Sequence, residues 1–241
     1  MDKYPRTPHL PFSPGMTDDD ETIKTYARLL DGAPKVVITE KIDGGNCCLK
    51  DDMVFARTHS KPATHASFSM VKQLYLSQIL PSGLVQDEWE LFGENMEAVH
   101  SIDYTPDASD HYLPSPFFLF AVFDRNEMRW FSWDEVTALA DNIGIPTVPV
   151  LWTGGITAAK GDQNAEETLK KMILSFRAGG STIGPKPPHA PVEMEGCVVR
   201  VVGSIAPGDF STSIAKFVRQ GHIQTDDTFK AQWKHAKIRM L

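Results

Sequence analysis

Cysteine is scarce in this chain: Cys47, Cys48 and Cys197 are the only three among 241 residues. The number is odd and no metal-ligand spacing links them, which excludes a disulfide scaffold and a sequential zinc ribbon. They read as reduced, buried thiols of a cytosolic protein. Long apolar runs are missing too. No stretch reaches the roughly 18 residues that span a bilayer, and the opening MDKYPRTPHLPFSPGM lacks the apolar stretch of a secretory signal. The expected location is the cytoplasm, with no membrane partner. There is no excess of positive charge either: 24 Lys and Arg stand against 31 Asp and Glu, a net charge of −7. That argues against coating long nucleic acid by bulk electrostatics, but it allows a few local cations to grip a short end. Internal repeats and low-complexity tracts are absent. What is present is a 41% hydrophobic sequence, enough for one sizeable core.

Residues 1–20, rich in Pro and Asp, read as an extended arm over the surface, and 21–241 as a single domain. Ile23, Tyr26, Leu29 and Leu30 give 21–31 helical spacing. Residues 36–42 (VVITEKI) read as a strand broken by Asp43-Gly44-Gly45. Asn46–Leu49 and Met53–Arg57 read as strands around a turn at Asp51-Asp52. Helical spacing returns over 66–80, and Trp89–Phe92 is a short strand expected to stop at Gly93. A loop over 101–116 leads to Phe117–Phe123, a strand buried on both faces. Asp134–Asn142 is a helix, with Ser132 or Asp134 as its cap. Then follow a strand at Val148–Trp152, a helix at Glu166–Arg177 and a loop over 179–191. Strands at Gly196–Val202 and Ile214–Val218 precede a helix over 228–238. The order predicts an α+β fold with antiparallel sheets and flanking helices, with its charged residues at strand ends.

One of those ends carries a lysine. In Glu40-Lys41-Ile42-Asp43-Gly44, Lys41 closes an apolar strand and an Asp-Gly turn follows. A free lysine, with a pKa of about 10.4, is a poor nucleophile at neutral pH. Desolvation, with neighbouring cations or a metal, can lower that pKa and free the lone pair, and glycine lets backbone approach a ligand closely. A lysine snorkelling beside a turn satisfies the same pattern. Lys216, inside the apolar run Ala215-Lys216-Phe217-Val218-Arg219, is costly to bury without a partner. Arg57, Glu94 and Glu195 also sit at strand ends.

Taken in order, these segments resemble the motifs of the covalent nucleotidyltransferases, the polynucleotide ligases and capping enzymes, over roughly residues 36–220. The resemblance implies an ATP-grasp-like adenylation domain in which Lys41 takes the nucleotide through a phosphoramide bond. Arg57, in FARTH, matches the arginine that follows. Glu94, in Leu91-Phe92-Gly93-Glu94, matches the ribose-binding glutamate, and the strand FFLFAVFD matches the one whose aromatic stacks on the purine. Phe120 is the expected stacker, with Phe123 on the opposite side of an ideal strand. Glu195, before Gly196, matches the carboxylate that assists the metal, with Asp43 beside it. Lys216 matches the lysine that contacts the α-phosphate. Asn46 completes a Lys-x-Asp-Gly-x-Asn string typical of the RNA ligase 2 branch, in which a glutamate at the position of Glu40 contacts adenine. Together with the opening Lys3–Pro11 and the ending Lys-Phe-Val-Arg, it is similar to a compact bacterial and phage group of RNA ligases.

The resemblance implies ATP and Mg²⁺, with Mn²⁺ as a substitute, and RNA ends bearing a 5′-phosphate and a 3′-hydroxyl. Whether a kinase or phosphatase partner prepares those ends stays open. Lys41, Lys216 and Arg57 would carry catalysis. Glu40, Asp43, Gly44, Asn46, Arg57, Glu94, Phe120, Lys216 and Arg219 would hold the nucleotide, and Glu195 and Asp43 the metal. The sequence departs from the wider pattern at Val218, where many relatives carry a second basic residue. Alternation would point the next residue, Arg219, away from Lys216. The stretch after Arg219 is too short for an oligonucleotide-binding barrel, so the RNA grip is expected from the catalytic domain, from a partner, or from the basic stretch Lys230, Lys234, His235, Lys237 and Arg239. A GTP-dependent capping guanylyltransferase, a minimal DNA ligase and a non-catalytic RNA-end binding module stay open.

Overall fold

Short runs of β-branched and aromatic residues separated by Gly, Pro and Asp favour sheets joined by tight turns. The computed structural model describes residues 3–18, 20–25, 28–30, 35–221 and 233–239. In chain order its strands are β1 (Val36–Lys41), β2 (Gly45–Lys50), β3 (Met53–Ala56), β4 (Trp89–Asn95), β5 (Ala98–Val99), β6 (Phe117–Asp124), β7 (Arg129–Trp130), β8 (Val150–Gly154), β9 (Gly196–Val201), β10 (Ile214–Val218) and β11 (Lys234–His235). Its helices are α1 (Ser69–Leu74), α2 (Trp133–Ile143), α3 (Ala165–Ala178) and α4 (Phe210–Ser213). The strands form a sheet of order β10-β9-β1-β8, a second of order β3-β2-β4-β6-β7, and a small pair β11-β5. Every pairing is antiparallel, so the predicted α+β class with antiparallel sheets holds.

Local chemistry explains the joints. Asp51 and Asp52 both have positive φ, 49° and 56°, in the two-residue turn that matches the twist of the β2–β3 hairpin. Ser132 caps α2 in a reciprocal box with Glu135, and the helix ends at left-handed Gly144. Asn164 caps α3. One apolar cluster joins Ile38, Val199 and Phe217 to Leu169 and Ile173 of α3 and runs on to Phe92 and Trp130. The other packs Val136 and Ala140 of α2 and Val71 of α1 against Leu49, Leu91 and Val122. Arg200 of β9 ties the sheets together: its guanidinium donates to the carbonyls of Phe131 at 2.8 Å and Phe120 at 3.4 Å.

Several expectations are corrected. Over 21–31 the described residues form no helix. Thr22 bridges His9, and Ile23 donates its N–H to His9 O at 2.8 Å, so pairing with the arm overrides the helical spacing. Of 228–238, the described residues from 233 onward are extended, with β11 on β5 and Ile238 bridging Leu113; the rest, Lys230 included, lies outside the described residues. Gly93 does not stop its strand. β4 runs through to Asn95, and Gly93 serves packing instead: a Cβ there would lie 2.2 Å from the Phe117 ring.

Gly196 is tighter still, because a Cβ would fall 1.8 Å from the Phe217 carbonyl oxygen on β10. Gly196→Ala is therefore expected to lower the unfolding free energy by about 2 kcal/mol or more. Urea denaturation measures this, and a loss below about 0.5 kcal/mol would show that β10 can shift away without cost.

Candidate active site

The register of the first sheet builds the site. Lys41, the last residue of β1, pairs with Gly196, the first of β9, and Glu195 immediately precedes it. The two side chains therefore meet: Lys41 Nζ lies 2.6 Å from Glu195 Oε1 and 2.8 Å from Oε2. Glu195 is buried, while the lysine side chain keeps 28% of its exposure. After β1 the chain turns through Asp43-Gly44, and the Gly44 N–H donates to Glu94. A Cβ at Gly44 would sit 2.6 Å from Asn95 O and 2.8 Å from Glu94 Cγ, so only glycine permits this approach. Asn46 stands opposite Glu94 in the β2–β4 ladder. Asp43 is buried, and its Oδ2 accepts from Ser101 Oγ at 2.7 Å and Ile102 N at 2.8 Å, fixing the 101–104 loop.

The electrostatics run opposite to the expectation of a lowered lysine pKa. Burial alone would favour the neutral amine, but Glu195, Glu94 and Asp43 outweigh it and raise the Lys41 pKa. The carboxyl of Glu94 is pushed up to about 8, first by burial and then by the charges of Glu195 and Asp43, against Lys41 and the Gly44 N–H. Glu195, Glu94 and Asp43 thus place three acidic groups around one ammonium.

Lys216 joins this cluster. On β10 it pairs with Val198, which pairs with Thr39 of β1. Thr39 and Lys41, two residues apart, share a face, so Lys216 points to the same side as Lys41. Its ammonium pKa is lowered, chiefly by burial, although Asp20 lies 3.6 Å away. The arm supplies that partner. Pro8, Leu10 and Gly15 bond to the backbone of residues 216–218, Ser13 Oγ accepts from Val218 N at 2.9 Å, and Leu10 is fully buried. His9 sits between them, with Nε2 3.3 Å from Asp20 and Nδ1 2.8 Å from Ser13 Oγ.

Burial, with Lys216 nearby and Asp20 opposing, lowers the His9 pKa from 6.5 to about 4. The imidazole is thus neutral in the fold, whereas the unfolded chain takes up a proton below pH 6.5. Its contribution is present in full above that pH and is lost as the pH falls from 6.5 towards 4. His9→Gln should flatten the fall in stability across this window by on the order of 2 kcal/mol, measured by denaturant unfolding at stepped pH. An unchanged slope would show that His9 does not govern it.

The other predicted residues lie elsewhere. Glu40 turns from the Lys41 side; its carboxylate is buried and accepts from Ser181 Oγ and from Thr182 N and Oγ. Arg57 is exposed just beyond β3. Arg219 pairs with the exposed Glu193 at 2.7 Å, and its N–H donates to Glu195 O. Phe120 is the residue skipped where the β4–β6 register shifts, Phe92 facing Ala121 and Gly93 facing Leu119. This bulge breaks the alternation expected of an ideal strand. The Phe120 ring meets Tyr4 edge-on at 5.1 Å, and Tyr4 also contacts Phe92, Trp130 and Phe210. In the basic stretch, Lys234 pairs with Asp103 and Asp107, and Lys237 donates to the carbonyls of Pro106 and Ser109.

Sequence reasoning missed Asp20, Tyr4 and the tie made by Arg200. Asp20 lies in an Asp-rich run where nothing distinguishes one carboxylate from the next, and only the pairing of the arm with β10 selects it. Among the described residues, no helix is long and apolar enough to cross a membrane.

The fold has counterparts in solved structures. An archaeal ATP-dependent RNA ligase aligns over 90% of this chain and 48% of its own, at 16% identity and a TM-score of 0.52. An RNA ligase of Naegleria gruberi aligns over 77% and 49%, at 18% identity and a TM-score of 0.50. The chain thus spans about half the length of these structures, and at such identity the likeness is one of fold. No curated protein sequence matches the chain. A family model described as RNA ligase does match, over residues 34–218, which takes in Lys41, Glu94, Glu195 and Lys216. A match across most of the sequence, on a fold shared with solved ligases, makes this chain a member of the RNA ligase family.

Proposed function

We propose that the chain is an ATP-dependent RNA ligase that carries AMP on Lys41. The observation that carries the reading is the Lys41–Glu195 contact of 2.6 Å at the end of β1, with Glu94 and Asp43 acting on the same ammonium and Lys216 on the same face. In the first step the Lys41 amine bonds to the α-phosphorus of ATP, the bond to the bridging oxygen breaks, and pyrophosphate leaves. Before attack the ammonium gives up a proton, and Glu195 is the carboxylate in contact to receive it. Lys216, released from Asp20, is the cation on that face for the α-phosphate. Arg57 is exposed beyond β3, and its long side chain would reach the phosphates from there. Glu94 holds the ribose hydroxyls, and Phe120 forms the aromatic wall beside the purine. Glu195 and Asp43 would hold Mg²⁺ or Mn²⁺, which supplies charge neutralisation for the triphosphate.

The AMP then passes to an RNA 5′-phosphate. Attack by a 3′-hydroxyl forms the phosphodiester and expels AMP. A kinase or phosphatase that prepares such ends is the partner this chemistry calls for. Mass spectrometry after exposure to ATP and Mg²⁺ is the test. It should find one AMP on Lys41, removed again by pyrophosphate. An adduct formed only with GTP would overturn the ATP assignment, and joining of nicked DNA in preference to RNA would overturn the RNA assignment.

A further inference from the structure

We propose that Cys48, His59 and Glu90 form a binding site for a zinc-class divalent cation, distinct from the acidic pocket at Lys41. The thiol sulfur, an imidazole nitrogen and a carboxylate oxygen all lie within 4.8 Å of one another, and all three residues are buried. Each comes from a different piece of the second sheet. Cys48 is on β2, opposite Phe55. Glu90 is on β4, four residues before Glu94, which puts it about 13 Å along the strand from the Lys41 cluster. His59 is in the turn after β3.

His59 has φ +46°, a left-handed conformation uncommon outside glycine. Its N–H closes the turn onto Ala56 O at 3.1 Å, and its ring is carried inward to stack on Phe92 at 5.5 Å. The turn thereby sets a ring nitrogen beside a thiol and a carboxylate on the apolar side of the sheet that holds Cys48 and Phe92.

The donor set names the ion. Sulfur, nitrogen and oxygen together suit Zn²⁺ and its analogue Co²⁺, whereas Mg²⁺ takes oxygen alone. Binding exchanges the Cys48 proton, released to water, for a metal–sulfur bond. Thiolate and carboxylate together balance the dication, while Lys50 stays on Glu90 Oε1 at 3.2 Å. Three protein donors leave a fourth tetrahedral position for water, admitted through the turn, where Arg57, Thr58, Ser60 and Lys61 are all exposed. The donors are far apart in sequence and meet only through the β3-β2-β4 ladder.

The probe is Co²⁺ or Zn²⁺ added to the metal-stripped full chain. The expected result is one metal per chain by elemental analysis, a near-ultraviolet thiolate-to-cobalt charge-transfer band, and a rise in melting temperature with Zn²⁺. Cys48→Ser and His59→Gln should each remove the band and at least tenfold of the affinity while keeping the wild-type circular dichroism. Glu195→Gln should leave the band in place, which separates this site from the groove. A wild-type chain with no thiolate band and no Zn²⁺-dependent rise in melting temperature would overturn the proposal. So would an undiminished band in Cys48→Ser, since the sulfur would then come from elsewhere.

Discussion

Lys41→Arg is expected to abolish formation of the AMP adduct while leaving the fold intact. The guanidinium keeps the positive charge beside Glu195 and so preserves the ion pair that ends β1. It cannot shed a proton to become a nucleophile. Labelling with ATP should fall by at least about ten-thousand-fold, the scale of losing an attacking group. Lys41→Ala should lose the adduct equally but also cost stability, because the buried Glu195 carboxylate is left without its cation. The two variants thus separate chemistry from folding: equal loss of label with unequal melting temperatures. Labelling that survives in Lys41→Arg at more than about a hundredth of the wild-type rate would place the nucleotide on another residue.

The second large effect is expected at Glu195. Glu195→Gln keeps the shape but removes the charge nearest Lys41, so the amine loses both its proton acceptor and its strongest counter-charge. The adduct should form on the order of a hundredfold more slowly at saturating ATP and Mg²⁺, and raising the Mg²⁺ concentration should not restore the rate. Stability should change by less than in Lys41→Ala, because Glu94 and Asp43 still face the ammonium. Single-turnover labelling at several Mg²⁺ concentrations measures this, and a wild-type rate would reduce the Lys41–Glu195 contact to a structural one.

The strands that carry Lys41 and Lys216, and the one that Glu195 precedes, were legible because their apolar runs are short and bounded by Gly, Pro or Asp, whereas the strand of Glu94 was read short because Gly93 does not end it. The α2 and α3 helices were legible too, α2 together with its Ser132 cap, whereas the Asn164 cap of α3 was not read. Meeting points were not legible. Lys41 meets Glu195 because β1 and β9 pair from Val36–Val201 down to Lys41–Gly196, a register that no local signal announces. The 21–31 segment misled because Ile23, Leu29 and Leu30 are buried as helical spacing would have it, while the described residues 21–23 pair with His9 of the arm. Phe120 could be named only by motif, since the bulge that carries it breaks the alternation from which a facing direction would be read. The direction of the Lys41 pKa shift was likewise hidden, because it depends on three carboxylates brought in from separate strands and turns.

The seam between residues 8–15 and 216–218 sets a timetable for biosynthesis. Its first half leaves the ribosome some two hundred residues before its second, so that edge of the sheet cannot close until residues 216–218 have emerged. A nascent chain released before residue 216 has neither the lysine nor the ladder against which Leu10 and His9 are buried. Contacts so remote along the chain are slow to form, and until they do, the opening segment is exposed to proteases and chaperones. On the proposed function, Lys41 gains Lys216 on its face only once this seam has formed, and products cut before residue 216 are expected to stay inert towards ATP.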